Sequence, residues 1–270
     1  RIEIPHKELF RNSLNQICPE LKIPAFKGMT IDSRKVQQDD IFLALKGQIT
    51  DGHHYIDEAQ KTGAAICIVE KDSDIYSSAF EVSSTRQFLN VTAAAYRENL
   101  SCPFIGITGT NGKTTTKDLL AHVLSKGSKV MFTKGNFNST IGVPLSIFEC
   151  GEDADAAIIE MGASKPGEIE YICNIVKPDM GIITNIYEAH IEYFGTIDLV
   201  AETKSALFSS LPKSGTAFVN MDDEYIPKMY IPCSRIEYSF FRSADFHGKW
   251  SADKEGIIIN GSFVELSSCS

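Results

Sequence analysis

The chain has 270 residues, 43% hydrophobic and 23% charged, which suits two folded domains rather than a disordered chain. Lys and Arg number 26 against 35 Asp and Glu, a formal charge of -9. That balance argues against a general nucleic-acid or anionic-membrane binder, because neutralising many phosphates needs clustered basic residues, yet it leaves room for one small anion held by a local nest of amides and a lysine.

No stretch approaches the roughly 20 apolar residues that span a bilayer, and the opening Arg1-Ile-Glu-Ile is not a signal peptide. It also lacks an initiator Met, so the first few residues are expected to be missing. The cysteines (Cys18, Cys67, Cys102, Cys150, Cys173, Cys233 and Cys269) are odd in number, scattered and without a C-x-x-C pair. Reduced thiols in a cytoplasmic protein are the expectation, rather than a zinc ribbon or redox site.

In chain order, the first segment reads as a small α/β unit ending near residue 100. Residues 41–45 and 64–69 read as strands and residues 55–62 as a short helix. Residues 84–99 have helical spacing, with Phe88, Val91, Ala95 and Tyr96 on one face. The polar break Glu98-Asn-Leu-Ser-Cys-Pro103 marks the expected boundary. Beyond it, strand and helix alternate as a mostly parallel sheet requires. Strands are expected at 104–108, 130–133, 156–161, 180–186 and 217–220. Helices are expected at 114–125, 167–175 and 199–210, the first with Leu119, Leu120, Val123 and Leu124 facing inward. From about Ser239 the chain reads as short strands and turns and stops without a closing element.

Gly109, Gly112, Lys113 and Thr114 fall between a strand and a helix, the setting of a phosphate loop. Glycines let backbone amides converge on phosphate oxygens, and the helix N-terminus that follows adds a favourable dipole. Lys113 would reach the β- and γ-phosphates and the Thr114 hydroxyl a magnesium ion. The usual spacing wants glycine at 107, which is Ile107 here; the glycines stand at 106, 109 and 112. Glu160 ends a buried-looking strand, where a carboxylate is costly unless paired or metal-bound, and that end of an open α/β sheet faces the ligand crevice. A capping or surface role stays open for it. The adjacent His53 and His54 would point to opposite faces of an extended segment, so no metal is expected there.

Gly106-Ile-Thr-Gly-Thr-Asn-Gly-Lys-Thr-Thr-Thr116 resembles the ATP loop of the Mur ligases and their relative folylpolyglutamate synthetase. Residues 135–144 (GNFNSTIGVP), Glu160-Met-Gly162 with Pro166-Gly-Glu-Ile169, Thr184-Asn-Ile186 with Ala189-His190, and Ala201-Glu-Thr-Lys204 are similar to the MurF branch, which joins D-Ala-D-Ala to UDP-N-acetylmuramoyl-tripeptide. Asp32-Ser-Arg34, residues 41–47 and Asp51-Gly-His53 are shared with the MurE branch, but MurE would carry Glu-Val-Ser-Ser-His where this chain has Glu160-Met-Gly-Ala-Ser164.

The resemblance implies a small N-terminal α/β domain for the UDP-linked substrate (1–100), followed by a phosphate-loop ATPase domain (101–270) that is incomplete at its end, with a C-terminal domain absent. It implies ATP held by Gly109, Thr110, Asn111, Gly112, Lys113, Thr114 and Thr115, with Asn220 and Asp223 on the adenine and ribose side, although Asn-x-Asp-Asp is also an ordinary turn. Two magnesium ions would be held through Thr114, Glu160, His190 and Lys204, the last as a carbamate. Lys113, Glu160, His190 and Lys204 would form the catalytic set. Ser33, Arg34, Lys46 and His53 would meet the uridine-diphosphate end, and Asn138 and Thr140 the γ-phosphate and muramyl group. The implied reaction phosphorylates the tripeptide carboxylate with ATP, and the amine of D-Ala-D-Ala then attacks the acyl phosphate. The protein would be a monomer, and this chain alone inactive. MurE-type and folylpolyglutamate-type ligases, and a non-catalytic nucleotide- or UDP-peptide-binding module, are the rival readings.

Overall fold

A computed structural model describes residues 1–47, 49–71, 79–189, 191–251 and 256–265. The chain forms two compact units, one of residues 1–102 with 127–157 and one of residues 103–126 with 158–270.

In the first unit a sheet runs in the order Ile2–Glu3, Gly28–Thr30, Ile41–Leu43, Ile66–Glu70 and Ala79–Val82. The first pairing is antiparallel and the others parallel, with Ile41 opposite Ile66 and Leu43 opposite Ile68. These strands are rich in β-branched and apolar residues, and Ile41, Phe42, Leu43 and Ile68 are fully buried. The strand expected at 41–45 stops at Leu43, and the helix expected at 55–62 is Ile56–Thr62 preceded by a 3₁₀ turn, Gly52–Tyr55.

Three helices pack together in this unit. Lys7–Ile17 and Thr85–Glu98 contribute Phe10 and Tyr96, and Gly142–Phe148 contributes Phe148. The Phe148 ring meets Phe10 edge-on at 4.9 Å and Tyr96 edge-on at 5.5 Å, and all three rings are fully buried. The Tyr96 hydroxyl, whose proton burial holds above the ordinary tyrosine range, donates to the Cys150 carbonyl at 2.8 Å. Ser139 starts the third helix by accepting from the Gly142 amide at 3.2 Å. All seven residues of that helix are buried, so it needs apolar neighbours on every side. This is why Gly127–Ala157, which a division at residue 100 would leave with the second segment, clusters with the first.

The second unit centres on Phe104–Thr108, buried at every position. The sheet order is Ser262–Glu265, Gly256–Ile259, Phe246–Trp250, Ser234–Ser239, Thr216–Asn220, Met180–Ile183, Phe104–Thr108 and Ala156–Glu160, the last of these contributing residues 158–160 to this unit. From Phe246–Trp250 to Phe104–Thr108 the pairings are parallel, while the two at the Ser262–Glu265 edge are antiparallel. Glu168–Val176 and Ile197–Ser209 pack against each other and supply buried apolar faces. Close packing requires glycine at 106 in the central strand, because a Cβ there would lie 2.8 Å from Leu207 Cδ1 and 3.1 Å from Met161 Sδ.

Two expectations are corrected here. In the helix Lys113–Leu124 it is Lys117 and Ala121 that are buried; Leu119 and Val123 are 53% and 62% exposed, with Leu120 and Leu124 only half covered. The preceding loop fixes the helix phase at Lys113, and steps of four residues carry that face through Lys117 and Ala121. The strand expected to reach Ile186 ends at Ile183, because groups of Thr184, Asn185 and Tyr187 turn toward the phosphate loop and the Ile186 amide toward Asp223.

Candidate active site

The phosphate loop leaves the buried strand at Thr108 and enters the helix at Lys113. Gly109 has φ +145° and a Cβ there would fall 1.9 Å from Thr184 Oγ1 and 3.1 Å from the Thr184 amide, so both backbone angle and space demand glycine. Gly112, at φ +76°, makes the left-handed turn from which the helix starts. The loop is braced from outside. Thr184 Oγ1 donates to the Asn111 carbonyl at 2.6 Å, and the Asn185 side chain brackets the same residue, accepting from its amide at 2.9 Å and donating to its carbonyl at 3.1 Å. Thr110 Oγ1 exchanges bonds with the amide and carbonyl of Tyr187 at 3.0 and 3.1 Å.

Lys113 Nζ donates to the carbonyls of Gly109 and Thr110, each at 2.8 Å, so the ammonium is folded over the loop itself. Burial holds its pKa below the ordinary lysine value, against the opposing pull of Glu160. Thr114 Oγ1 donates to Glu160 Oε2 at 3.0 Å, and Glu160 is 2% exposed. Lys117 Nζ stands 3.6 Å from the same oxygen and 3.3 Å from Asp118 Oδ1, with its own side chain 2% exposed. Lys204, buried on Ile197–Ser209, is driven down to about 8, first by burial and then by the charge of Lys113. Thr115 is exposed on the first turn of the loop helix. His190 lies outside the described residues.

Asn220 and Asp223 act here through the backbone. Asn220 Nδ2 donates to the Thr184 carbonyl at 2.9 Å, and the Asp223 carboxylate accepts from the amides of Ile186, Tyr225 and Ile226 at 2.8, 2.8 and 3.0 Å. They tie the bracing segment 184–187 to the end of Thr216–Asn220.

In the first unit, Ser33, Arg34 and Lys46 line a cavity of about 450 Å³. Ser33 Oγ donates to Glu58 Oε2 at 3.0 Å. The exposed Arg34 guanidinium clasps Asp32 at 2.9 and 3.0 Å and holds that carboxyl below its ordinary range. Ile141 lines the same cavity, and the half-buried Asn138 and Thr140 belong to the loop leading to it. His53 is not among the lining residues. Its Nε2 accepts from the Glu70 amide at 2.9 Å, which leaves the proton on Nδ1, 2.5 Å from Asp51 Oδ1. Both ring nitrogens thus serve the fold, a role the sequence reading missed.

Residues 107–258 match the Mur ligase middle domain, and residues 25–101 match the Mur ligase family catalytic domain. The chain belongs to the Mur ligase family. It is 35% identical over 260 residues to the UDP-N-acetylmuramoyl-tripeptide--D-alanyl-D-alanine ligase of Synechocystis sp., an alignment covering 94% of this chain and 56% of that protein. Among solved structures it is similar to MurF from Acinetobacter baumannii, with a TM-score of 0.81, 30% identity, and coverage of 88% of this chain and 54% of that one. It is also similar to the MurF ligase of Thermotoga maritima in complex with ADP, with a TM-score of 0.76, 31% identity, and coverage of 87% and 56%. The chain thus spans about half the length of the curated relatives it matches.

Mur ligase chemistry brings a divalent cation, and the donors here fit magnesium. Thr114 and Glu160 offer hard oxygens 3.0 Å apart at the end of a strand. Among the described residues no three His, Cys, Asp or Glu side chains gather into a cage. Magnesium needs none, since it keeps several waters and takes the remaining ligands from phosphates.

Sequence reasoning did not single out Lys117, and it quoted Thr184 and Asn185 only as part of a motif, without their contacts to the loop. Lys117 had a signal, standing three residues after Thr114 and so on the same helix face. Thr184 and Asn185 stand in the Thr184-Asn-Ile186 motif, but their bracing contacts depend on pairing across more than 70 positions and had no local signal.

The buried Lys204 gives a stability prediction. Its pKa falls from 10.5 unfolded to about 8 folded, so between those values the unfolded chain binds more protons and stability rises with pH. Below about pH 8 the full penalty applies, on the order of 3 kcal/mol at 1.36 kcal/mol per unit. Lys204→Met should therefore be more stable than wild type at pH 7 in carbonate-free buffer, with the advantage shrinking toward pH 10. Urea unfolding at several pH values measures this, and a pH-independent difference would refute it.

Proposed function

We propose that the protein is an ATP-dependent ligase joining D-Ala-D-Ala to UDP-N-acetylmuramoyl-tripeptide, working in the cytoplasm as a monomer. The observation that carries this reading is the phosphate loop whose Lys113 and Thr114 stand beside the buried carboxylate of Glu160. The names of the MurF relatives supply the substrates, and the ADP bound to the Thermotoga maritima protein supports the nucleotide. Among the described residues, no helix is long and apolar enough to cross a membrane.

In this reading the division of labour follows the two segments. The first, to about residue 100, takes the UDP end at Ser33, Arg34 and Lys46, with His53 holding the local backbone. Asn138 and Thr140 serve the muramyl end. The second takes ATP at the loop of Gly109, Thr110, Asn111 and Gly112, its phosphates meeting the turn at Gly112 and the helix start at Lys113 to Thr115. The Thr110 and Asn111 amides are held by Asn185. Asn220 and Asp223 shape the nucleotide side by holding segment 184–187. Thr114, Glu160, His190 and Lys204 would hold two magnesium ions, which when bound neutralise phosphate charge. An uncharged Lys204 amine attacks carbon dioxide and loses a proton to become a carbamate; its lowered pKa makes that amine available near neutral pH.

A carboxylate is a poor electrophile until one oxygen becomes a leaving group. The tripeptide carboxylate attacks the γ-phosphorus, the bond to ADP breaks, and an acyl phosphate results. The amine of D-Ala-D-Ala then attacks the acyl carbon, phosphate leaves, and the nitrogen gives up a proton. Lys113 stabilises the negative charge that redistributes over the phosphoryl oxygens.

Phosphate release by the full-length protein tests the proposal. Release is expected only when ATP, magnesium, UDP-N-acetylmuramoyl-tripeptide and D-Ala-D-Ala are all present. Robust turnover with UDP-N-acetylmuramoyl-dipeptide and a free diamino acid would move the assignment to the MurE branch. No nucleotide-dependent turnover with either pair would favour a binding module.

A further inference from the structure

We propose that Lys117 is a built-in counter-cation for Glu160 that keeps free divalent metal off this carboxylate, so that the metal enters together with the nucleotide's phosphates. The proposal rests on reading Glu160 as a metal ligand. Lys117 and Glu160 are each 2% exposed, and Lys117 Nζ lies 3.6 Å from the same Oε2 that accepts from Thr114. A buried carboxylate without a cation, or a buried ammonium without an anion, is strongly disfavoured. The pair therefore makes the site stable before any metal arrives. Asp118 also faces the ammonium at 3.3 Å, but its side chain is 58% exposed and water screens it, so Glu160 is the principal partner.

The same ammonium repels an incoming cation. Magnesium on a carboxylate oxygen sits about 2.1 Å from it, inside the field of a fixed positive charge that the buried helix face cannot swing into solvent. Metal alone must overcome that field. A metal bound to triphosphate carries its own negative charge and does not.

The test uses the full-length protein and manganese as the probe, titrated by electron paramagnetic resonance with and without a non-hydrolysable ATP analogue. Without nucleotide, Lys117→Met should bind manganese at least about tenfold more tightly than wild type, because a repulsive unit charge is gone. Lys117→Arg should behave as wild type, and the gain should vanish in Lys117→Met combined with Glu160→Gln. The factor by which nucleotide tightens metal binding should be smaller in Lys117→Met than in wild type. Lys117→Gln is measured in parallel, and the same criterion applies to it should the methionine variant fail to fold. A folded, uncharged variant with wild-type or weaker manganese affinity overturns the proposal. Glu160→Gln alone separates the two readings. If it leaves manganese binding unchanged with nucleotide present, the ligand role of Glu160 falls; if it weakens binding while Lys117→Met brings no gain, only the counter-cation role falls.

Discussion

Lys113→Ala in the full-length protein is expected to lower kcat by about 10²–10³-fold, the usual cost of removing one preorganised contact to developing charge. The lysine leaves the helix at its first residue, and its ammonium already lies over the loop, bonded to the carbonyls of Gly109 and Thr110. Charge moves among the phosphoryl oxygens during transfer, so this contact is worth more in the transition state than in bound ATP. Affinity for the UDP-linked substrate should hardly change, because the cavity at Ser33, Arg34 and Lys46 belongs to the other compact unit. Equilibrium binding of UDP-N-acetylmuramoyl-tripeptide and single-turnover kinetics on one preparation separate the two effects. An unchanged chemical step would mean that the loop does not hold the reacting phosphates, and the ligase mechanism would fall with it.

Phe148→Ala is expected to destabilise the first unit by about 3–5 kcal/mol, the range for removing a fully buried aromatic ring. The ring is fully buried, and its edge-on contacts with Phe10 and Tyr96 join three helices. Alanine would leave a cavity that two neighbouring rings can only partly fill. Hydrogen exchange read over Thr85–Glu98 reports the loss locally, which matters because a protein of several domains does not unfold in one step. Leu119→Ala, at a site 53% exposed, should fall within about 0.5 kcal/mol of wild type and serves as the control. A loss below about 1 kcal/mol for Phe148→Ala would mean that the helices are not packed through this ring.

The phosphate loop was legible because its requirements are local: Gly109 and Gly112 need unusual backbone angles, and Lys113 and Thr114 follow at fixed spacing. The alternation of strand and helix was legible for a similar reason. What escaped depends on distant partners. The loop helix carries Leu119 and Val123 as an apolar pair, yet its phase is set by the loop, so they face outward and a lysine goes in. Lys117 meets Glu160 across 43 positions, and nothing near either residue announces the other. Short strands such as Gly28–Thr30 are too brief to show a period. The contact of His53 Nε2 with the Glu70 amide, 17 positions away, likewise had no local signal.

The discontinuous make-up of the first unit also sets an order of events during synthesis. Residues 103–126, with the phosphate loop, emerge from the ribosome before Gly127–Ala157, which the first unit needs to close its core. Until Phe148 arrives, Phe10 and Tyr96 lack the ring that joins their helices. The nascent chain must therefore carry an exposed aromatic surface while the buried strand Phe104–Thr108 is already outside and still without its neighbours Met180–Ile183 and Ala156–Glu160. In that interval two unfinished apolar surfaces coexist on one polypeptide, the condition under which a folding chain is prone to aggregate.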